Sequence, residues 1–189
     1  FHFGTLSMTH NGVRKATKKA IRIAEQANVL ISFDPNLRPP LWDSLEDARE
    51  QVLYGLGHCQ ILKISDNEIQ WLTGESDFTK GVEWILERYE IPLILVSMGK
   101  QGSRAYYGNF MVERQPFLQK NTIETTGAGD TFCGCILHYI LEHGIDNLKG
   151  SNLKDMLTFA NSAASLITTK KGALRVMPSR EEIEANITK

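Results

Sequence analysis

The chain has 189 residues, 42% of them apolar, with 21 lysines and arginines against 22 aspartates and glutamates. That balance, with a pI near 6.6, leaves no electrostatic footprint for nucleic acid, and a chain of this size buries roughly 70% of its unfolded surface, enough for a core without disulfide staples. Cys59, Cys133 and Cys135 are odd in number and show neither CxxC nor zinc-ligand spacing, so a reducing cytoplasm is the expected setting.

In chain order, "FHFGTLSM" (1–8) reads as a strand, and its start on Phe1 rather than Met suggests that earlier residues are missing. No apolar run approaches ~20 residues and no leader pattern is visible, so neither a membrane span nor a signal peptide is expected. Residues 12–28 read as a helix with Val13, Ala16, Ala20, Ile21, Ala24 and Ala27 on one stripe. "VLISFDP" (29–35), "ILKIS" (61–65) and "LILVSMG" (93–99) read as strands, and residues 77–90 as a helix burying Phe78, Val82, Ile85, Leu86 and Tyr89. "SRAYYG" with "FMVERQ" reads as a hairpin. Strands apolar on both faces suit a parallel sheet covered by helices, so an α/β layered fold is expected. There is no repeat, and "DPNLRPPLW" and "NFMVERQPFLQKN" lack the character of interdomain linkers, so one domain is expected.

The stretch with chemical content is "TTGAGD" (125–130), which precedes the apolar positions Phe132, Ile136, Leu137 and Ile140 of another helix. A helix start offers unpartnered N–H groups and a partial positive charge, which attract phosphate or a developing oxyanion. Gly127, Ala128 and Gly129 clear the approach. Asp130 stands at the rim, where a carboxylate accepts a hydroxyl proton while the amides stabilise a transferring phosphoryl group. Simple helix capping by Thr126 or Asp130 is the plainer account of the same residues. No GxxxxGK[ST] occurs, and no GxGxxG follows a strand, so P-loop and dinucleotide-binding readings lose their support.

"IETTGAGDTFCGCIL" resembles the C-terminal signature of the ribokinase-like, phosphofructokinase-B family of carbohydrate kinases. "ISFDPNLRPPLW", "ILKISDNEIQWLTG", "LILVSMGKQGS" and "FANSAASLITTKKGALRVMPSREEIE" follow in the family's order, and within it the chain is most similar to fructokinases. The resemblance implies a ribokinase-like α/β/α sandwich with a mostly parallel central sheet, truncated because the N-terminal strands and β lid are absent. It implies an ATP-dependent sugar kinase with Mg²⁺ as cofactor, acting on D-fructose to give fructose 6-phosphate. Asp130 would be the catalytic base and the amides of Gly127, Ala128 and Gly129 the anion hole. Ser97, Gly99 and Gly102 would form a turn at the nucleotide, and Asn161 would border the adenine.

Ser65 and Glu68 occupy the family's NxxE position, where Glu68 would organise Mg²⁺ through water; the same pair also fits a capping box. Asn36 and Arg38 would lie near phosphate or substrate. Two positions depart from the family's pattern. Glu124 stands where Asp usually helps to hold K⁺, which puts potassium activation in doubt, and Cys135 stands where Ala or Gly is usual and reads as a packing residue. The five histidines form no metal pattern, and no GxSxG elbow occurs.

The missing upstream half would supply most sugar contacts, so the expectation for these 189 residues alone is weak nucleotide binding and little activity. The partners expected are a small-molecule sugar and ATP, without nucleic acid or membrane. Self-association, as a homodimer or through the truncated sheet near Phe1 to Met8, is also expected. The competing readings are another kinase of the family, for 2-keto-3-deoxygluconate or ribose, and a non-catalytic kinase-like binding module.

Overall fold

The structure, a computed structural model, describes residues 1–188, which fall into two compact units, Phe1–Val96 and Ser97 onward. The first unit alternates strands and helices: β1 (His2–Gly4), α1 (Asn11–Gln26), β2 (Ser32–Asp34), α2 (Leu45–Leu56), β3 (Ile61–Ser65), α3 (Asp66–Thr73), α4 (Phe78–Leu86) and β4 (Leu93–Ser97). These strands neighbour one another in chain order, with β1 parallel to β2 and β2 parallel to β3. Parallel neighbours require a crossover, and the intervening helices supply it. All of β2 and the first four residues of β3 and β4 are buried, which is why β3 and β4, apart from Lys63, carry apolar residues there without alternation. Phe33, Ile61, Leu62, Ile64, Leu93 and Ile94 form the centre of this core. Phe3 stacks on Phe33 with ring centroids 4.6 Å apart.

Three expectations for this unit need correction. The helix expected over 77–90 ends at Leu86, which is exposed, so Val82 and Ile85 are its buried apolar residues. The apolar run 1–8 is a strand only to Gly4, and Thr5–Met8 forms a 3₁₀ turn. Both the backbone N–H and the hydroxyl of Thr5 donate to the Pro35 carbonyl, which takes the chain off the ladder. On α1 the buried line is Thr17, Ile21 and Ala24, while Val13, Ala16 and Ala27 are exposed. A polar residue joins that line because the Thr17 hydroxyl donates to the Ser7 carbonyl at 2.9 Å, and a satisfied hydroxyl is tolerated in a core.

The second unit contains the expected hairpin, β5 (Ser103–Tyr107) and β6 (Phe110–Arg114), antiparallel with Ser103 opposite Arg114. Three helices follow: α5 (Ala128–His143), α6 (Gly150–Ile167) and α7 (Arg180–Ile187). Phe132, Ile136 and Ile140 recur every fourth residue and form the buried line of α5. α6 is the hub, packing against α5, β6 and α7 and burying Leu153, Leu157, Ala160, Ala163 and Ile167. Among the described residues no helix is long and apolar enough to cross a membrane.

Candidate active site

The start of α5 is built as its sequence requires. Gly127 takes φ 80° and ψ −3°, a left-handed conformation that costs a residue with a Cβ roughly 1–2 kcal/mol. The turn commits two N–H groups: Ala128 donates to the Thr125 carbonyl at 3.1 Å and Thr131 to the Gly127 carbonyl at 2.8 Å. The amides of Gly127, Gly129 and Asp130 take no partner among the described residues. The unspent donors therefore differ by one from the expected set, with the amide of Asp130 in place of that of Ala128. The Asp130 side chain is exposed on the first helical turn, with no hydrogen bond or ion pair among the described residues.

Beside this helix start lies a pocket of about 540 Å³, walled by the turn after β4, the loop 116–125, and helices α5 and α6. It brings together Ser97, Gly99, Gly102, Ala128, Gly129 and Asn161, six of the residues singled out from the sequence. Gly102 has no substitute in this turn. Its φ is 93°, and an added Cβ would lie 2.0 Å from the Arg114 carbonyl oxygen. Asn161 is 7% exposed and fully engaged: its Oδ1 accepts from Ser103 Oγ at 2.9 Å, and its Nδ2 donates to the carbonyls of Arg114 at 3.3 Å and Gln115 at 3.1 Å. Its side chain holds the hairpin and the 115 strand-end against α6, so Asn161 shapes the pocket wall and has no amide donor left for a ligand.

In the first unit, Asn36, Ser65 and Glu68 meet around one buried carboxylate cluster. Ser65 caps α3 and forms a complete capping box with Glu68. Glu68 Oε2 accepts from Ser65 N and Oγ, each at 2.8 Å, while its Oε1 accepts from Leu37 N at 2.8 Å. That last bond fastens the turn after β2 to the start of α3. Asp34 Oδ1 accepts from Asn36 N at 3.1 Å, and Asp34 Oδ2 lies 3.0 Å from Lys63 Nζ. Asn36 is left-handed, with φ 45°. Burial, opposed by Lys63, raises the Asp34 carboxyl from 3.8 to about 6. Arg38 is exposed and turns back to its neighbour, donating to the Leu37 carbonyl at 3.0 Å.

Glu124 accepts from Gly172 N at 3.3 Å, and its own N–H donates to the Thr168 carbonyl at 3.3 Å. Glu124 thus ties its own loop to the end of α6 and to the loop at Gly172. Among the described residues no three His, Cys, Asp or Glu side chains gather as a metal cluster. Burial pushes the Cys135 thiol up to about 11, as suits a packing residue rather than a nucleophile.

Residues 1–180 match the pfkB family of carbohydrate kinases. The chain belongs to that family. It is 35% identical over 185 residues to a probable fructokinase-4 of Arabidopsis thaliana, covering 98% of this chain and 56% of the relative. It is also 35% identical over 179 residues to a putative fructokinase-8 of the same organism, covering 95% of this chain and 85% of the relative. Among solved structures, a double mutant of a Vibrio cholerae fructokinase bound to fructose, ADP and potassium superposes with a TM-score of 0.90 at 28% identity, covering 98% of this chain and 59% of that one. The chain spans just over half the length of most curated relatives it matches. The fold is therefore that of the pfkB kinases, α/β with mostly parallel strands, over part of their length.

Two residues of this pfkB chain were not singled out from the sequence. Lys63 had a readable signal, because a charge inside the apolar run "ILKIS" must find a counter-charge if the strand is central. Gln119 had none: it lies in an irregular stretch, and only the tertiary fold puts it on the pocket wall.

Proposed function

We propose that the chain carries the nucleotide-binding and phosphoryl-transfer portion of an ATP-dependent sugar kinase, acting on D-fructose to give fructose 6-phosphate. The supporting observation is the pocket that runs up to the unspent amides at the start of α5, with the exposed Asp130 carboxylate beside them. ATP occupies the pocket, its base between the loop 116–119 and α6, and its phosphates directed toward Gly127 and Gly129. The amides of Gly127, Gly129 and Asp130 take up the negative charge that spreads over the migrating phosphoryl oxygens. Asp130 accepts the proton of the sugar hydroxyl as its oxygen attacks. Mg²⁺, when bound with the nucleotide, neutralises phosphate charge. Both Glu68 oxygens already accept protein donors, so Glu68 fits a hydration water of the ion better than direct coordination. Asn36 and Arg38 lie at the end of β2, the edge where parallel sheets bind ligands.

Fructose is favoured among sugars by similarity to fructokinases. These 189 residues alone turn over slowly, because a site left open to solvent keeps water among the reacting groups. Among the described strands β1 pairs only with β2, so its outer edge is the surface through which two copies associate. Analytical ultracentrifugation reads this directly, and a strictly monomeric chain at tens of micromolar argues against it.

The test is coupled ADP release across a sugar panel, with the chain alone and with the upstream part of a full-length fructokinase fused to it. The fusion turns over fructose fastest, and Asp130→Asn lowers kcat about 10²–10⁴-fold while ADP still binds. Undiminished turnover in Asp130→Asn removes the base from the mechanism. Equal rates for the chain alone and the fusion remove the claim that these 189 residues alone turn over slowly.

A further inference from the structure

The pocket's polar side chains are not all available to a ligand. Asn161 has spent its amide on the hairpin. Gln119 is different: its Nε2 donates to Ser165 Oγ at 3.1 Å and to Asn186 Oδ1 at 3.4 Å, which uses both amide protons, while its Oε1 takes no partner among the described residues.

The direction of this amide is dictated by the network behind it. Ser162 Oγ donates to the Ile183 carbonyl at 3.1 Å, so it receives from Asn186 Nδ2 at 2.9 Å, and the other end of Asn186 is the oxygen. Ser165 Oγ donates its single proton to the Ser162 carbonyl at 2.8 Å, so it too can only accept from Gln119. Asn186 and Ser162 are buried, at 9% and 0% exposure, and neither reverses without leaving a buried group unsatisfied. Turning the Gln119 amide over would point its oxygen at two acceptors. α6 and α7 therefore present Gln119 to the pocket as an acceptor only.

We infer that Gln119 is a specificity-determining residue for the nucleotide base: its fixed carbonyl selects purines bearing an exocyclic 6-amine over those bearing a 6-carbonyl. The inference rests on the pocket being the nucleotide site. Adenine offers a donor at that position. Hypoxanthine and guanine place an oxygen there, and two facing acceptors repel. Among the other lining residues, Phe117, Phe132 and Ala164 are apolar and read only the shape of the ring system.

Isothermal titration of the 189-residue chain with ADP, IDP and purine riboside diphosphate, the last lacking any 6-substituent, separates the two ideas. ADP binds about 10-fold tighter than purine riboside diphosphate, as expected for one partly solvated hydrogen bond, and IDP, with an oxygen facing an oxygen, binds more weakly still. In Gln119→Met, ADP affinity falls to that of purine riboside diphosphate, and the base preference shrinks to within about 2-fold. In Asn186→Leu the amide is released to rotate, and IDP gains on ADP without loss of fold by circular dichroism. ADP and IDP binding equally to the unmodified chain, or preference surviving in both variants, overturns the role of Gln119 while leaving the nucleotide site standing. If no nucleotide binds to a folded chain, both readings fall.

Discussion

Lys63 Nζ lies 3.0 Å from Asp34 Oδ2, joining adjacent parallel strands through a pair whose side chains are only 8% and 6% exposed. Two carboxylates, Asp34 and Glu68, share the surroundings of this one ammonium group, and both hold backbone N–H groups of the turn that carries Asn36 and Arg38. The cluster fixes the conformation of that turn at the cost of burying charge.

Breaking the pair is expected to be costly. Lys63→Met leaves Asp34 buried without its counter-charge, and unfolding in urea should show a loss of about 3–5 kcal/mol. The double variant Lys63→Met/Asp34→Leu should recover most of that loss, because an apolar pair of similar volume no longer carries the desolvation cost.

The raised carboxyl of Asp34 gives a pH signature. Its folded value of about 6 exceeds the ordinary 3.8, so the native state binds the proton more tightly than the unfolded chain. Its contribution to stability is fully present below about pH 4 and is lost as pH rises through about 6. Urea midpoints measured from pH 4 to 7 should carry this falling component, and Asp34→Asn should remove it. An unchanged profile in Asp34→Asn would assign the slope to other groups.

Gly102→Ala is expected to disrupt the turn after β4. The new methyl would meet the Arg114 carbonyl at 2.0 Å in a left-handed conformation, so either the turn or β6 must move. Stability should fall by about 3 kcal/mol or more, and ADP affinity with it. Gly99→Ala is the milder comparison, since its Cβ would meet nothing within 4 Å and only φ 52° is strained.

Asn161→Leu removes three hydrogen bonds and strands the carbonyls of Arg114 and Gln115 together with the Ser103 hydroxyl. A loss of about 2–4 kcal/mol is expected by thermal denaturation, with weakened ADP binding that follows the distortion of the pocket. ADP affinity unchanged in a destabilised Asn161→Leu protein would show that the pocket wall does not depend on this amide.

The Glu124 carboxylate already joins its loop to Gly172, the connection that a bound cation would otherwise reinforce. Replacing Na⁺ by K⁺ is therefore expected to change ADP affinity by less than about twofold. Glu124→Asp, which shortens the reach to Gly172, should increase that response; a strong K⁺ response in the unmodified chain would contradict the expectation.

The sequence by itself determined the alternation of strands and helices, the hairpin and the start of α5. Each of these is a local consequence of residue type: uninterrupted apolar runs demand burial on both faces, and Gly127 permits the left-handed turn before Ala128. Its catalytic candidates also sat on short contiguous stretches, and the fold gathers six of the pocket residues from them. Only the tertiary structure decided which polar groups remain free. Asn161 stands out in the chain as a residue for the adenine and Gln119 does not stand out at all, yet partners 46 to 67 residues away exhaust the Asn161 amide and leave Gln119 its oxygen alone. Hydrogen-bond saturation depends on what long-range packing brings within about 3 Å, and no local pattern encodes it.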